Sequence, residues 1–256
     1  MNILLVNEAG CFAPGITALA KALSARHRVV IVAPLTSRFG SGHQLTVSTY
    51  PLRVKQYFVF NKIKIFSVNG TPCDCVTLAL DKVLKSKPDL IVTGICDHNN
   101  RGETIYSSGV VSAAIQGTIH GIPSIAVSAK IRDASSEKSF EEVAANFARN
   151  LDFFIKNLSP SSTLNVNYPA KITARKIKFT HLTYGMIKNE YGHEVNPMGT
   201  QFYWLKSPLM GFALESLEQK GDLYWLKNGH ITVTPLKLDL SDDVAIQVIE
   251  RTGVIL

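Results

Sequence analysis

Apolar residues along this chain fall into two rhythms, short unbroken blocks and stripes at helical spacing. Asn2 to Val6 is a continuous aliphatic block, as expected of a strand buried on both faces. Ile16, Leu19, Ala20 and Leu23 recur at i, i+3, i+4, i+7, one face of a helix. Arg28 to Ala33 is a second block ending at Pro34, so strand, helix and strand make a βαβ unit with parallel strands. Thr36 to Thr46 is a polar, Gly-rich loop. Leu45 to Val68 alternates and reads as a hairpin excursion with Asn61 and Lys62 between its runs. Thr71 can cap a helix with Pro72 at its first position and Val76, Leu80, Val83 and Leu84 along its face.

Asp89 to Thr93 predicts a third core strand, Gly109 to His120 a closely packed small-residue helix, and Pro123 to Ser128 a fourth strand. Ser139 to Leu158 has a helical apolar side through Phe140, Val143, Phe147, Leu151 and Phe154, and Leu164 to Val166 is a fifth strand. Past Pro169 the pattern changes. Ile177 to Leu182, Phe202 to Leu205, Leu223 to Leu226 and Ile231 to Thr234 read as short strands, and Asp242 to Arg251 as a helix. The expectation is an α/β chain. Residues 1–170 form a Rossmann-like, doubly wound, mostly parallel sheet, and residues 171–256 a β-rich C-terminal hairpin and tail.

Composition narrows the function. No apolar run approaches the roughly 18 residues of a membrane span, and no signal peptide is evident, so a cytoplasmic protein is expected. The net charge of +7 suits phosphorylated ligands, but Lys and Arg are scattered without a basic motif, so neither nucleic acid nor membrane is expected as a partner. Cys11, Cys73, Cys75 and Cys96 lack C-x2-C zinc spacing and read as reduced thiols.

In an open parallel sheet, ligands bind beyond the carboxyl ends of the strands. Three loops leave such ends: Asn7 to Pro14, Pro34 to His43, and Gly94 to Ser108. The third runs into a helix start at Ser107, Ser108 and Gly109, where free N–H groups and hydroxyls suit an anion; simple N-capping is the alternative.

The opening ILLVNEAGCFAPGI, IVAP, R-x-G-x-x-H-x-L-T, NGTPCDCV, DLIVTGI, N-x-G-E-x-I-Y-S-x-G, NVNYP, GTQFYWL and GHITVTPLKLDL occur in order along the chain. Together they resemble the SurE survival-protein nucleotidases. The resemblance implies a phosphomonoesterase acting on nucleoside 5′- and 3′-monophosphates. It also implies a divalent metal, Mg²⁺ or Mn²⁺, and a homodimer or homotetramer with tail exchange. The family's metal ligands are an Asp pair, a Ser and an Asn, and these positions fall on Glu8, Ala9, Phe39 and Cys96. By the same resemblance Asn7, Gly40, Asn100, Ser107, Ser108 and Gly109 surround the phosphate, and Glu8 is the catalytic and metal-binding carboxylate.

Only Glu8 keeps a hard oxygen ligand, because Ala9 and Phe39 carry none and Cys96 offers sulfur. Three readings stay open: a nucleotidase with an altered site, a catalytically inactive protein that binds nucleotide or acts as a structural partner, and a rebuilt Zn²⁺ phosphatase. The third would draw Glu8, Cys96, His98, His43 and Cys11 from the three loops. The side chain of Phe39 discriminates, since a ring filling the metal position would exclude a metal.

Overall fold

The computed structural model describes residues 1–59, 63–171, 176–184, 190–206 and 220–251. The Asn61–Lys62 turn lies outside them. The first block is β1 (Asn2–Val6), followed by α1 (Pro14–Ser24) and β2 (Arg28–Pro34). The hairpin is β3 (Val54–Val59) and β4 (Ile63–Val68). Next come α2 (Pro72–Leu78), β5 (Leu90–Cys96), α3 (Gly109–Ile119), β6 (Ser124–Ala129) and α4 (Lys138–Arg149). Then follow α5 (Leu151–Lys156), β7 (Ser162–Tyr168), β8 (Ile177–Phe179), β9 (Glu190–Val195) and β10 (Gln201–Lys206). The remainder is α6 (Asp222–Lys227), β11 (Ile231–Lys237) and α7 (Asp243–Arg251).

The main sheet runs β3-β4-β2-β1-β5-β6-β7-β11-β8. Strands β4 to β7 in this order are mutually parallel, while β3 and β11 join antiparallel. Chain order therefore moves outward from β1 in one direction and then reverses at β5. That reversal is the topological switch point of a doubly wound sheet. Period-2 alternation divides β1 between two cores. Ile3 and Leu5 pack with Ile16, Leu19, Phe140 and Phe147 of α1 and α4, whereas Leu4 and Val6 pack with Cys75, Val76 and Ala113 of α2 and α3.

Local chemistry explains the elements. Thr71 Oγ1 accepts from the Asp74 amide at 3.1 Å and Asp74 Oδ2 from the Thr71 amide at 2.8 Å, a reciprocal capping box before α2. Gly94 in β5 has φ +120°, and a Cβ there would lie 2.1 Å from the Val127 carbonyl oxygen, so only glycine fits.

Three sequence expectations need revision. Ser139 to Leu158 is two helices, broken at Asn150, whose side-chain amide bonds the Asn146 carbonyl at 2.8 Å. Leu223 to Leu226 is helical rather than a strand, because Asp222 buries its carboxylate beneath the first turn and Leu223 and Leu226 point inward one turn apart. Finally, β8 and β11 extend the main sheet, whereas β9 and β10 form a separate two-stranded hairpin. Among the described residues no helix is long and apolar enough to cross a membrane.

Candidate functional site

Two adjacent parallel strands, β1 and β5, end at the switch point and deliver Glu8 and Cys96 side by side. Glu8 is 1 % exposed. Its Oε1 accepts from the Cys96 thiol at 3.1 Å, and its Oε2 accepts from the Gly109 amide at 2.8 Å, in the first turn of α3. The Cys96 sulfur lies 3.3 Å from His98 Nδ1 and 3.5 Å from Nε2. His98 Nδ1 is also 3.0 Å from Asp97 Oδ1. An ionised carboxylate only accepts, so this contact places a proton on Nδ1.

Burial governs the electrostatics. It pushes the Glu8 carboxyl above its usual range, against the Cys96 and Gly109 hydrogen bonds and the His98 charge. Burial, reinforced by the Glu8 charge, pushes the Cys96 thiol well up as well. For His98 burial acts downward, but the Asp97 hydrogen bond and the charges of Glu8 and Asp97 together raise it. The His98 hydrogen bond holds Asp97 below its ordinary value.

The second loop is fastened to both neighbours. The Arg38 amide donates to the Glu8 carbonyl at 2.7 Å, and the Gly42 amide donates to the Ser107 carbonyl at 3.1 Å. This brings the Ser41 hydroxyl to the α3 start. A Cβ on Gly109 would stand 2.8 Å from Ser41 Oγ and 3.0 Å from Glu8 Oε2, so glycine lets both groups approach. Several polar groups here have no protein partner: Ser41 Oγ, Asn7 Nδ2, and both side-chain atoms of Asn100. Asn7 and Asn100 are each 1 % exposed, and such buried polar atoms ordinarily have a partner.

The residues expected around phosphate divide. Asn7, Ser108 and Gly109 lie in loops that meet at Glu8, but Ser108 Oγ caps α3 by accepting from the Val111 amide at 3.1 Å. The backbone of Asn100 is held by Asn165 and Asn167, whose side-chain amides donate to its carbonyl at 2.7 and 3.0 Å. Ser107 bonds the Thr104 carbonyl at 3.2 Å, and Gly40 takes φ +74° in the open second loop. Ala9 contributes no donor atom. Phe39 is half exposed, and its ring rests against the His98 ring at 5.6 Å between centroids.

Of the five residues expected to rebuild a metal site, Glu8, Cys96 and His98 come together, with ligand atoms all within 4.8 Å of one another. His43 instead meets Gln116 at 2.6 Å, and Cys11 packs in the core around α1. Ser41 lies two positions past Phe39 and so outside the motif positions; the Gly40-Ser41-Gly42 run is the signal the sequence offers for it.

A doubly wound, mostly parallel sheet with helices on both faces and a switch point between β1 and β5 defines an α/β protein of the Rossmann-like class. Residues 3–189 match the family model described as Survival protein SurE. The chain is 34% identical over 256 residues to the 5′-nucleotidase SurE of Thermosipho melanesiensis, covering 98% of this chain and 97% of that one. It is 38% identical over 257 residues to the 5′-nucleotidase SurE of Prochlorococcus marinus subsp. pastoris, covering 94% and 91%. The crystal structure of the SurE protein from Aquifex aeolicus superposes with a TM-score of 0.76 at 36% identity, covering 98% of this chain and 99% of that one. The chain belongs to the SurE family.

Proposed function

We propose that this protein binds nucleoside monophosphates in the switch-point crevice and releases their phosphate. The observation that carries the reading is the meeting of Glu8, the α3 start and the unpartnered Asn7 and Ser41 groups where β1 and β5 end. Amide and hydroxyl donors are the partners a phosphate oxygen needs, and the +7 net charge favours an anionic substrate. Glu8 is the group that can orient and deprotonate an attacking water, and burial raises its carboxyl above the ordinary carboxylate range, which makes it a stronger base.

The metal that the family resemblance implies, Mg²⁺ or Mn²⁺, does not fit these residues. Both cations need several hard oxygen ligands. Here Ala9 and Phe39 supply none, Cys96 supplies sulfur, and Glu8 Oε2 is already bonded to the Gly109 amide. No step is therefore assigned to them.

A second reading, a nucleotide-binding protein without turnover, rests on that same Oε2 contact. The protein's own carboxylate occupies the first-turn amide of α3 that a phosphate would otherwise use. The test measures AMP binding by calorimetry beside phosphate release from AMP, 3′-AMP and a chromogenic ester, for the unmodified protein and Glu8→Gln. Release that disappears in Glu8→Gln supports the hydrolase. Binding without release supports the second reading, and neither binding nor release refutes both.

We further infer a homodimer or homotetramer with tail exchange. Tyr191, Tyr203, Trp204 and Leu205 of the β9–β10 hairpin are exposed, and α7 buries none of its residues while exposing Val244, Ile246, Val248 and Ile249.

A further inference from the structure

We propose that Phe39, braced by His98, is the platform on which the base of a nucleoside monophosphate stacks while its phosphate lies in the switch-point crevice. The inference rests on the reading of that crevice as a nucleotide site. It adds what the site recognises beyond phosphate, a planar aromatic ring.

Position is the first argument. The Arg38 amide donates to the Glu8 carbonyl at 2.7 Å, so the residue before Phe39 is fastened to the backbone of the crevice carboxylate. A second route runs through side chains. Glu8 Oε1 accepts from the Cys96 thiol at 3.1 Å, that sulfur lies 3.3 Å from His98 Nδ1, and the His98 ring centroid lies 5.6 Å from that of Phe39. Both routes are short and lead to the same ring. A base is tied to its phosphate through one ribose, so it comes to rest a few side chains from Glu8, where the Phe39 ring stands.

Presentation is the second. Phe39 is half exposed, and its ring meets the His98 ring at 51°, a tilted contact that braces one side and leaves the rest in solvent. Asp97 Oδ1, 3.0 Å from His98 Nδ1, fixes the brace in turn. The next residue, Gly40, takes φ +74°, and a Cβ there would meet no atom within 4 Å, so the loop beside the ring is open to a ligand. A ring held in place before the ligand arrives loses little freedom on binding, which favours affinity. Aromatic faces stack on any base, because every base has a π-face.

Calorimetry tests this by comparing AMP with ribose 5-phosphate, which carries the same sugar and phosphate without the base. The proteins are the unmodified full-length chain, Phe39→Ala, Phe39→Leu and Phe39→Trp, each shown to be folded by circular dichroism. The unmodified protein should bind AMP more tightly than ribose 5-phosphate. Phe39→Ala and Phe39→Leu should weaken AMP by roughly 10-fold or more and leave ribose 5-phosphate unchanged, since leucine keeps apolar bulk but offers no ring face. Phe39→Trp should hold AMP at least as tightly, and its added fluorescence should be quenched by AMP but not by ribose 5-phosphate. Equal binding of the two ligands by the unmodified protein, or equal weakening of both by Phe39→Ala, overturns the proposal. AMP affinity that is unchanged in Phe39→Ala refutes the platform alone and leaves the nucleotide reading standing. Binding of neither ligand refutes both.

Discussion

Asp222→Ala tests whether the third crevice loop is held in place by the C-terminal segment. Asp222 is fully buried at the start of α6. Its Oδ2 accepts from the Gly102 amide at 2.8 Å, across 120 residues of chain. Its Oδ1 accepts from the Thr183 amide at 2.9 Å, the Thr183 hydroxyl at 2.7 Å and the Leu223 amide at 2.8 Å. Alanine removes both oxygens. Leu223 keeps a bond to Thr183 Oγ1 at 3.1 Å, but the Gly102 and Thr183 amides are stranded. Each unsatisfied buried group costs about 1–3 kcal/mol, and breaking a buried charged network by removing one partner costs about 3–5 kcal/mol. We expect the upper figure, which lowers Tm on the order of 10 °C for a chain of this size. Asp222→Asn keeps one acceptor for Thr183 and Leu223 but faces Gly102 with a second donor, so it should cost about 1–3 kcal/mol. Urea unfolding followed by circular dichroism reads both. A loss below about 1 kcal/mol in Asp222→Ala, or equal losses in the two variants, would refute the reasoning.

Burial raises the Cys11 thiol to about 11 and the Cys73 thiol to about 12, with Cys75 and Cys96 pushed well up too. None of the four should react quickly with a disulfide reagent at neutral pH in the metal-stripped native protein, and all four should react after denaturation. A Cβ on Gly117 would lie 2.3 Å from Ser124 Oγ and 2.7 Å from Ile91 Cδ1. Gly117→Ala should therefore lose about 1–3 kcal/mol in urea unfolding despite its better helix propensity. Light scattering should give a mass two or four times that of the 28.1 kDa chain, and Trp204→Glu in the hairpin should reduce it.

The parallel core was legible because its signals are local. Aliphatic blocks, an i, i+3, i+4, i+7 stripe and a Thr-Pro cap each determine an element without distant help. What escaped depends on distant partners. Leu223 to Leu226 is a four-residue apolar and aromatic run, equally suited to strand or helix, and only the Asp222 clamp to Thr183 and Gly102 decides it. Likewise β8 is three residues long and is defined by pairing with β11. At the site, motif register supplied Glu8 and Cys96, whereas Ser41 is placed by amides from the first and third loops. The roles of Asp97 and His98 follow from rotamers that fold Asp97 Oδ1 onto His98 Nδ1, which spacing alone does not specify.

The most direct measurement is the metal requirement for phosphate release from AMP. It compares the unmodified protein with the triple change Ala9→Asp, Phe39→Ser, Cys96→Asn, each stripped and resupplied with Zn²⁺, Mg²⁺ or Mn²⁺ singly. We expect the unmodified protein's release not to respond to Mg²⁺ or Mn²⁺ and the triple variant, given back hard oxygen ligands, to release phosphate with either. Acceleration of the unmodified protein by Mg²⁺ or Mn²⁺ as large as that of the triple variant would contradict the reading that Ala9, Phe39 and Cys96 cannot hold these ions.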